Sequence, residues 1–343
     1  MPRKTKMNSL TSPELLAQVN PENMNLLNEF VNYHKSLQHS ENTINAYISD
    51  LHIAFVWGLQ FNNNLCFTEW RKRHIVNYQN WLLYTNENSP ARVRRLKASL
   101  SSFANFIENI LEDEYPDFRN IVKKIANPAN KPVRDKTVWT DEELEELLQK
   151  LVSLKKYELA CYLALGMYSG RRKAELCRFK VSDFEDDHLT INDSFYKSAP
   201  IKTKGQAGGK MLECYVLAKR FRPYLDMWLR EREENGIVSE WLFPMPSDPS
   251  RHIEISTANS WAKTFDRLTD KPFYTHSLRH RFATALSEEG VPDGVIQRIV
   301  GWESGDMVRL YVDTDADDEI AAWFNGGDVV DKGAKSFGEL FGG

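Results

Sequence analysis

The sequence predicts a mainly α-helical protein: an all-α N-terminal domain followed by a mostly-α domain with a small antiparallel β-sheet. Three observations lead to this. Apolar residues recur at helical spacing through residues 22–118. A segment with two prolines and no apolar period, residues 127–138, interrupts the chain. Beyond it, helical stretches surround two short strand-like segments. The 343 residues suffice for two domains, each with its own core.

The elements follow in order. Residues 1–20 read as an N-terminal extension and 21–126 as the first domain. Helical periods run over 24–34, 43–57 with Ser40 as N-cap, 75–84 and 93–110. Residues 127–138 are the linker. Directly after it, Thr140-Asp-Glu-Glu143 is a capping box that opens a helix over 144–151, marking the start of a second domain at 139–312. Helices are expected at 157–168 and 172–179. Strands are expected at 188–192 and 211–217, flanking a Lys- and Gly-rich segment, 202–210. Further helices are expected at 220–233, 256–268, 275–288, 292–300 and 306–311. Residues 313–343 form a separate tail.

Composition excludes several classes. An apolar fraction of 42% with only 17 Gly and 14 Pro rules out a disordered or collagen-like chain. The longest nearly uninterrupted apolar run, 159–168, is about half the ~20 residues of a membrane span, and no apolar stretch follows the N-terminal charges as in a signal peptide. Cys66, Cys161, Cys177 and Cys214 are scattered, without metal-ligand spacing, and point to a reducing, cytosolic setting.

A net charge of −4 speaks against a nucleic-acid partner until it is resolved along the chain. Residues 1–138 carry +4 and residues 139–343 carry −8, but the tail from 313 onward alone carries −6, so residues 1–312 sum to +2. A basic body and an acidic tail are averaged in the total.

Four local patterns carry chemistry. In Ser169-Gly-Arg-Arg-Lys-Ala-Glu-Leu176, Gly170 suits a left-handed turn, and three cations then open the next helix against its own dipole. A bound anion relieves that conflict. Arg172 and Glu175 are three apart and meet on one face. Alone, the pattern also fits a solvated basic turn. In Thr275-His-Ser-Leu-Arg-His280, the apolar stripe of Leu278, Phe282, Ala285 and Leu286 places Arg279 at its edge, half-buried beside His276. His276 and His280 have the spacing of a zinc-protease helix, but Ser277 stands where that motif needs Glu, so no metal is expected. The third pattern is Gly301-Trp302 with Tyr311 nine residues on, and the fourth is the Lys202/Lys204 segment. Read singly, these two suit core packing and a solvated hairpin tip.

Together the four resemble the tyrosine recombinase (phage integrase) family over nearly the whole chain. Gly170-Arg-Arg172-Lys-Ala-Glu175-Leu176 matches the family's Gly-x-Arg-x-x-Glu-Leu box, and His276-Ser-Leu278-Arg279-His280 matches its His-x-Leu-Arg-His box. Gly301-Trp302 then precedes Tyr311, with Trp in place of the commoner His, as in Cre-like members. Residues 40–51 are similar to the helical core-binding domain, a SAM-like bundle.

The resemblance implies a site-specific recombinase that cleaves and rejoins DNA. Tyr311 would be the nucleophile, forming a 3′-phosphotyrosine. Arg172, Arg279, His276 and Trp302 would hold the non-bridging oxygens of the phosphate, and Glu175 would orient Arg172. Lys202 or Lys204 would be the general acid, the Lys-Thr pair favouring Lys202. Arg171 stands where the family more often has an apolar residue, and the count to Glu175 selects Arg172 for the site. Neither metal nor ATP is implied. The partners implied are double-stranded DNA sites, clamped by the two domains, and three further protomers in a tetrameric synapse that passes through a Holliday junction. Neither a membrane nor a small-molecule substrate is implied, and the setting is the bacterial cytoplasm, on the nucleoid when bound to DNA. Arg92, Arg94, Arg95 and Lys97 are the candidate phosphate contacts of the first domain, with Lys204 added from the hairpin. With so short an N-terminal extension, no arm-binding domain is expected. The tail's Trp323, Phe324, Phe337, Leu340 and Phe341 suit docking on a neighbouring protomer. A type IB topoisomerase and a catalytically inert DNA-binding regulator are the alternatives.

Overall fold

The computed structural model describes residues 9–129, 139–203, 210–269 and 271–302, with two short strands at Phe324–Asn325 and Asp328–Val329. The described chain is mainly helical and falls into two compact units, residues 9–129 and residues 139 onward.

The first unit holds α1 (Pro13–Leu16), α2 (Pro21–Ser36), α3 (Glu41–Phe61), α4 (Lys72–Asn80) and α5 (Pro90–Ile110). Ser40 caps α3, its hydroxyl accepting from the Thr43 N–H at 3.3 Å, and Ser89 caps α5 in the same way from Arg92. The apolar faces close on an aromatic core in which Phe30 meets Phe103 edge-on at 5.4 Å, with Phe67, Trp57, Trp70 and Tyr78 around them. The expected helix over 75–84 ends early. Its last turn widens into a π-turn, Trp81–Thr85, where the Asn86 N–H reaches the Trp81 carbonyl at 2.8 Å.

The second unit opens with α6 (Asp141–Ser153) through the expected capping box: the Thr140 N–H donates to Glu143 at 2.9 Å and the Glu143 N–H to Thr140 at 3.3 Å. Next, α7 (Tyr157–Ser169) is buried from Ala160 through Ser169, as a central helix apolar on every face must be. A short α8 (Lys173–Leu176) follows. The expected helix over 172–179 stops there because the chain turns extended, with Phe179 accepting from the Leu242 N–H at 2.9 Å.

Strands β1 (Leu189–Thr190), β2 (Phe195–Lys197) and β5 (Tyr215–Leu217) form an antiparallel sheet in the order β1-β2-β5. A separate hairpin pairs β3 (Ile201–Lys202) with β4 (Met211–Leu212), setting Lys202 opposite Met211. The single strand expected over 211–217 is therefore two. Pro200 has no N–H to continue the ladder, and Ser198 bonds Cys214 in both directions, at 2.9 and 3.0 Å, where the strand breaks.

Helices α9 (Ala218–Glu234), α10 (Ile255–Leu268), α11 (Thr275–Glu288) and α12 (Asp293–Val300) match the expected ones within two residues at each end. A further hairpin, β6 (Pro244–Met245) with β7 (Asp248–His252), precedes α10, and β8 (Phe324–Asn325) pairs with β9 (Asp328–Val329). The helix expected over 306–311 lies outside the described residues.

Two glycines of the second unit both have positive φ but different surroundings. At Gly170 (φ +58°) an added Cβ would lie 2.5 Å from the Phe282 ring, whereas at Gly290 (φ +79°) it would meet nothing within 4 Å. Gly290→Ala is expected to cost the left-handed strain alone, roughly 1 kcal/mol. Gly170→Ala should cost at least ~1 kcal/mol more, because the rigid ring must also move. Urea denaturation of the two variants measures the difference, and equal losses would show that the Phe282 contact is soft.

Candidate active site

The first and second boxes are joined at the C-terminus of α7. Gly170 takes the left-handed cap of that helix, and its carbonyl accepts from Nη1 of Arg279 at 3.0 Å. Arg279 is wholly buried, deeper than the half-buried position read from the sequence. Its guanidinium carbon stands 5.1 Å from the centre of the Trp302 ring, a cation–π contact that draws in the third element. Trp302 is itself 5% exposed, and its backbone N–H donates to the Gln297 carbonyl at 3.0 Å across the left-handed Gly301.

Arg172 is the N-cap residue of α8, and Glu175 secures it twice. The buried carboxylate accepts the Arg172 backbone N–H at 3.1 Å and its Nη1 at 3.2 Å. The Arg172 side chain stays 34% exposed, so its remaining donors face outward. Arg172 and His276 line one cleft of about 410 Å³ with Lys173, Asn259, Tyr274 and Thr275. At the N-terminus of α11, whose N-cap residue Tyr274 supplies no side-chain cap, this cleft receives the positive end of the helix dipole.

Partial burial of the His276 ring, then the positive neighbours His280, Arg279 and Arg172, lower its pKa to about 4. The imidazole is therefore neutral at pH 7, with one N–H to donate.

Arg171, one residue before Arg172, turns the opposite way. It is 1% exposed, and Nη2 donates to the carbonyls of Glu213 at 3.2 Å and Ile299 at 2.9 Å. Of the two arginines, Arg172 lines the cleft.

Lys202 is exposed on β3. Its carbonyl accepts from Nη1 of Arg178 at 2.9 Å, a contact that sequence reading misses because Arg178 belongs to no box and lies 24 residues from Lys202. Lys204 and Tyr311 lie outside the described residues, so the structure places neither.

In the first unit, the four basic residues of α5 separate. Arg92 and Arg95 pair with the buried Asp50 at 2.8 and 3.4 Å and keep accessible side chains, while Arg94 donates to the Pro128 carbonyl at 3.1 Å. Lys97 is a correction to the phosphate-contacting face: it is 3% exposed, and its ammonium is enclosed by Gln79 at 2.6 Å and the carbonyls of Ile125 and Ala126 at 3.1 and 3.0 Å. All three donors are used inside the domain.

Comparison with known proteins agrees with this arrangement. Residues 137–318, more than half of the chain, match the phage integrase family. A tyrosine recombinase of Pseudothermotoga lettingae is 26% identical over 276 residues, covering 80% of this chain and 87% of the relative. One of Thermosipho africanus is 24% identical over 283 residues, covering 80% and 89%. Among solved structures, the fold is shared with the XerH site-specific recombinase bound to a palindromic difH substrate (TM-score 0.61, 20% identity, 82% of this chain and 79% of that one). It is also shared with a lambda integrase tetramer bound to a Holliday junction (TM-score 0.61, 20% identity, 84% and 77%). The chain belongs to the phage integrase family and is a tyrosine site-specific recombinase.

The neutral state of His276 is directly measurable. In the free protein its imidazole is expected to titrate near 4, well below the ordinary 6.5. Its contribution to stability is then complete above about 6.5 and falls away as the pH drops toward 4. An oligonucleotide phosphate in the cleft should raise that pKa, because the anion favours the imidazolium. Histidine NMR titration with and without duplex DNA reads both values, and an unshifted 6.5 in the free protein would refute the assignment.

Proposed function

We propose that this recombinase cleaves and rejoins duplex DNA through a 3′-phosphotyrosine on Tyr311. The observation that carries the reading is the shared cleft of Arg172 and His276, set beside an Arg279 held between Gly170 and Trp302. In the proposed step, the Tyr311 hydroxyl gives up its proton to solvent, its oxygen bonds to the scissile phosphorus and the bond from phosphorus to the 5′-oxygen breaks. The non-bridging oxygens gain charge in the pentavalent transition state. Arg172 donates to them from the cleft wall, Arg279 supplies a second positive charge from beneath, and His276 and the Trp302 indole N–H add neutral donors.

In this reading, donors fixed before the reaction keep the reorganisation that accompanies the charge build-up small. Glu175 acts through Arg172 by holding its guanidinium at one angle. Lys202, or Lys204 on the same hairpin, gives a proton to the departing 5′-oxygen. The phosphotyrosine bond conserves the energy of the phosphodiester, so rejoining calls for no nucleotide, and the arginines supply the charge that a metal would otherwise bring.

The first unit is the proposed core-binding domain, with Arg92, Arg94 and Arg95 on its phosphate-contacting face. Strand exchange is proposed to run through a Holliday junction in a tetramer, an assembly supported by the fold shared with the lambda integrase tetramer. The acidic tail after Asp313 is proposed to dock its aromatics on a neighbouring protomer. Among the described residues no helix is long and apolar enough to cross a membrane.

On a suicide substrate carrying its recombination site, the parent protein is expected to accumulate a covalent protein–DNA adduct. Tyr311→Phe should bind the same DNA and form none. An adduct persisting in Tyr311→Phe would remove Tyr311 as nucleophile, and relaxation of a supercoiled plasmid lacking any such site would favour a topoisomerase. Truncation after Thr314 should keep adduct formation while weakening synapsis, read by native gel. Undiminished tetramer formation would contradict the docking role of the tail.

A further inference from the structure

Arg171 has no place in the proposed chemistry, yet it is one of the largest wholly buried side chains in the protein. Its partners explain why an arginine occupies the interior. The Ile299 carbonyl lies at the C-terminal end of α12, where the last carbonyls have no intrahelical donor and the helix dipole is negative. The Glu213 carbonyl lies directly after β4, where the strand expected as one piece breaks in two. One guanidinium nitrogen therefore ties the end of α12 to the base of the β3–β4 hairpin, from a backbone position between Gly170 and Arg172.

The surroundings are cut to fit this side chain. A Cβ at Gly301 would lie 2.7 Å from Arg171 Nη1 and 3.5 Å from Leu212 of β4, so the glycine leaves room for the guanidinium to pass as well as taking a φ of +75°. Lys202 sits on the strand paired with β4, opposite Met211, the residue preceding Leu212. Arg171 thus holds Glu213 at the base of the hairpin, and Gly301, after α12, stands close to both the Arg171 guanidinium and Leu212 of β4.

We propose that Arg171 is a positioning residue that locks the β3–β4 hairpin against the C-terminal end of α12, so that the hairpin lysine reaches the departing 5′-oxygen. This rests on the reading of that lysine as general acid. A leucine or methionine at this position fills space but donates to neither carbonyl, which unties the end of α12 from the base of the hairpin and leaves the hairpin to its own ladder and to the Arg178–Lys202 and Ser198–Cys214 bonds.

The test exploits the leaving group. Replacing the scissile 5′-bridging oxygen by sulfur makes the departing group a thiolate, which leaves without a proton, so defects in proton delivery disappear on that substrate while defects in phosphate binding or folding remain. Arg171→Met is expected to melt cooperatively and bind site DNA like the parent, since an apolar side chain replaces a buried charge. Its single-turnover cleavage of the ordinary suicide substrate should fall by about 10²-fold, the size of a lost general-acid contribution. On the bridging-sulfur substrate it should return to within about 3-fold of the parent. Arg171→Lys, which keeps the charge but reaches fewer acceptors, should fall between the two.

Lys202→Ala and Lys204→Ala are run beside it. Rescue of one of them by sulfur identifies the acid. If one is rescued and Arg171→Met is slow on both substrates, or shows no defect on either, the positioning role is overturned. If neither lysine variant is rescued, the reading of the hairpin lysine itself fails, and the inference falls with it.

Discussion

Arg279 donates to the Gly170 carbonyl from a position with no solvent exposure, and the assembly of the site depends on that contact. A buried guanidinium without acceptors would be costly, and the C-terminal end of α7 supplies one. The left-handed turn at Gly170 points that carbonyl inward and at the same time brings Phe282 of α11 against the glycine, where no side chain fits between. Two sequence boxes more than 100 residues apart are thus joined by a hydrogen bond and a close aromatic contact. The Trp302 ring over Arg279 adds the third box to the same centre.

The three arginines in these boxes divide the work by depth. Arg171 is inside and braces backbone, Arg279 is inside against Trp302, and Arg172 lines the cleft with its guanidinium held by a buried carboxylate. Adjacent positions 171 and 172 face opposite ways because Gly170 ends one helix and Arg172 begins the next, so no common helical face relates them. Burial first, and then the positive charges of His280, Arg279 and Arg172, keep His276 neutral at pH 7.

Most of the fold was legible because its signals are local. The Thr140/Glu143 capping box and the Ser40 cap each lie within one helical turn and form as read, and Leu278, Phe282 and Leu286 of the α11 stripe are buried. The strands were less legible. The break at Glu213–Cys214 is imposed by Ser198, Pro200 and Arg171, which are distant in sequence, and an alternating pattern over 211–217 carries no sign of them. At the site, the choice of Arg172 followed from its spacing to Glu175. The burial of Lys97 did not: its acceptors are Gln79 and two carbonyls at 125–126, and a basic run on one helix reads as a surface whichever way one member turns. Net charge was the least informative signal, since the +2 of residues 1–312 and the −6 of the remainder belong to different tasks in the proposed function.

The central claim is that the boxes converge to serve a single covalent step at one tyrosine, and identification of the DNA-bearing residue tests it most directly. The purified chain is trapped on a suicide substrate, digested with protease and nuclease, and the nucleotide-bearing peptide sequenced by mass spectrometry. The account predicts a peptide containing Tyr311, joined to the 3′-phosphate of the cleaved strand. An adduct on another residue, or a linkage to the 5′ end, would contradict it.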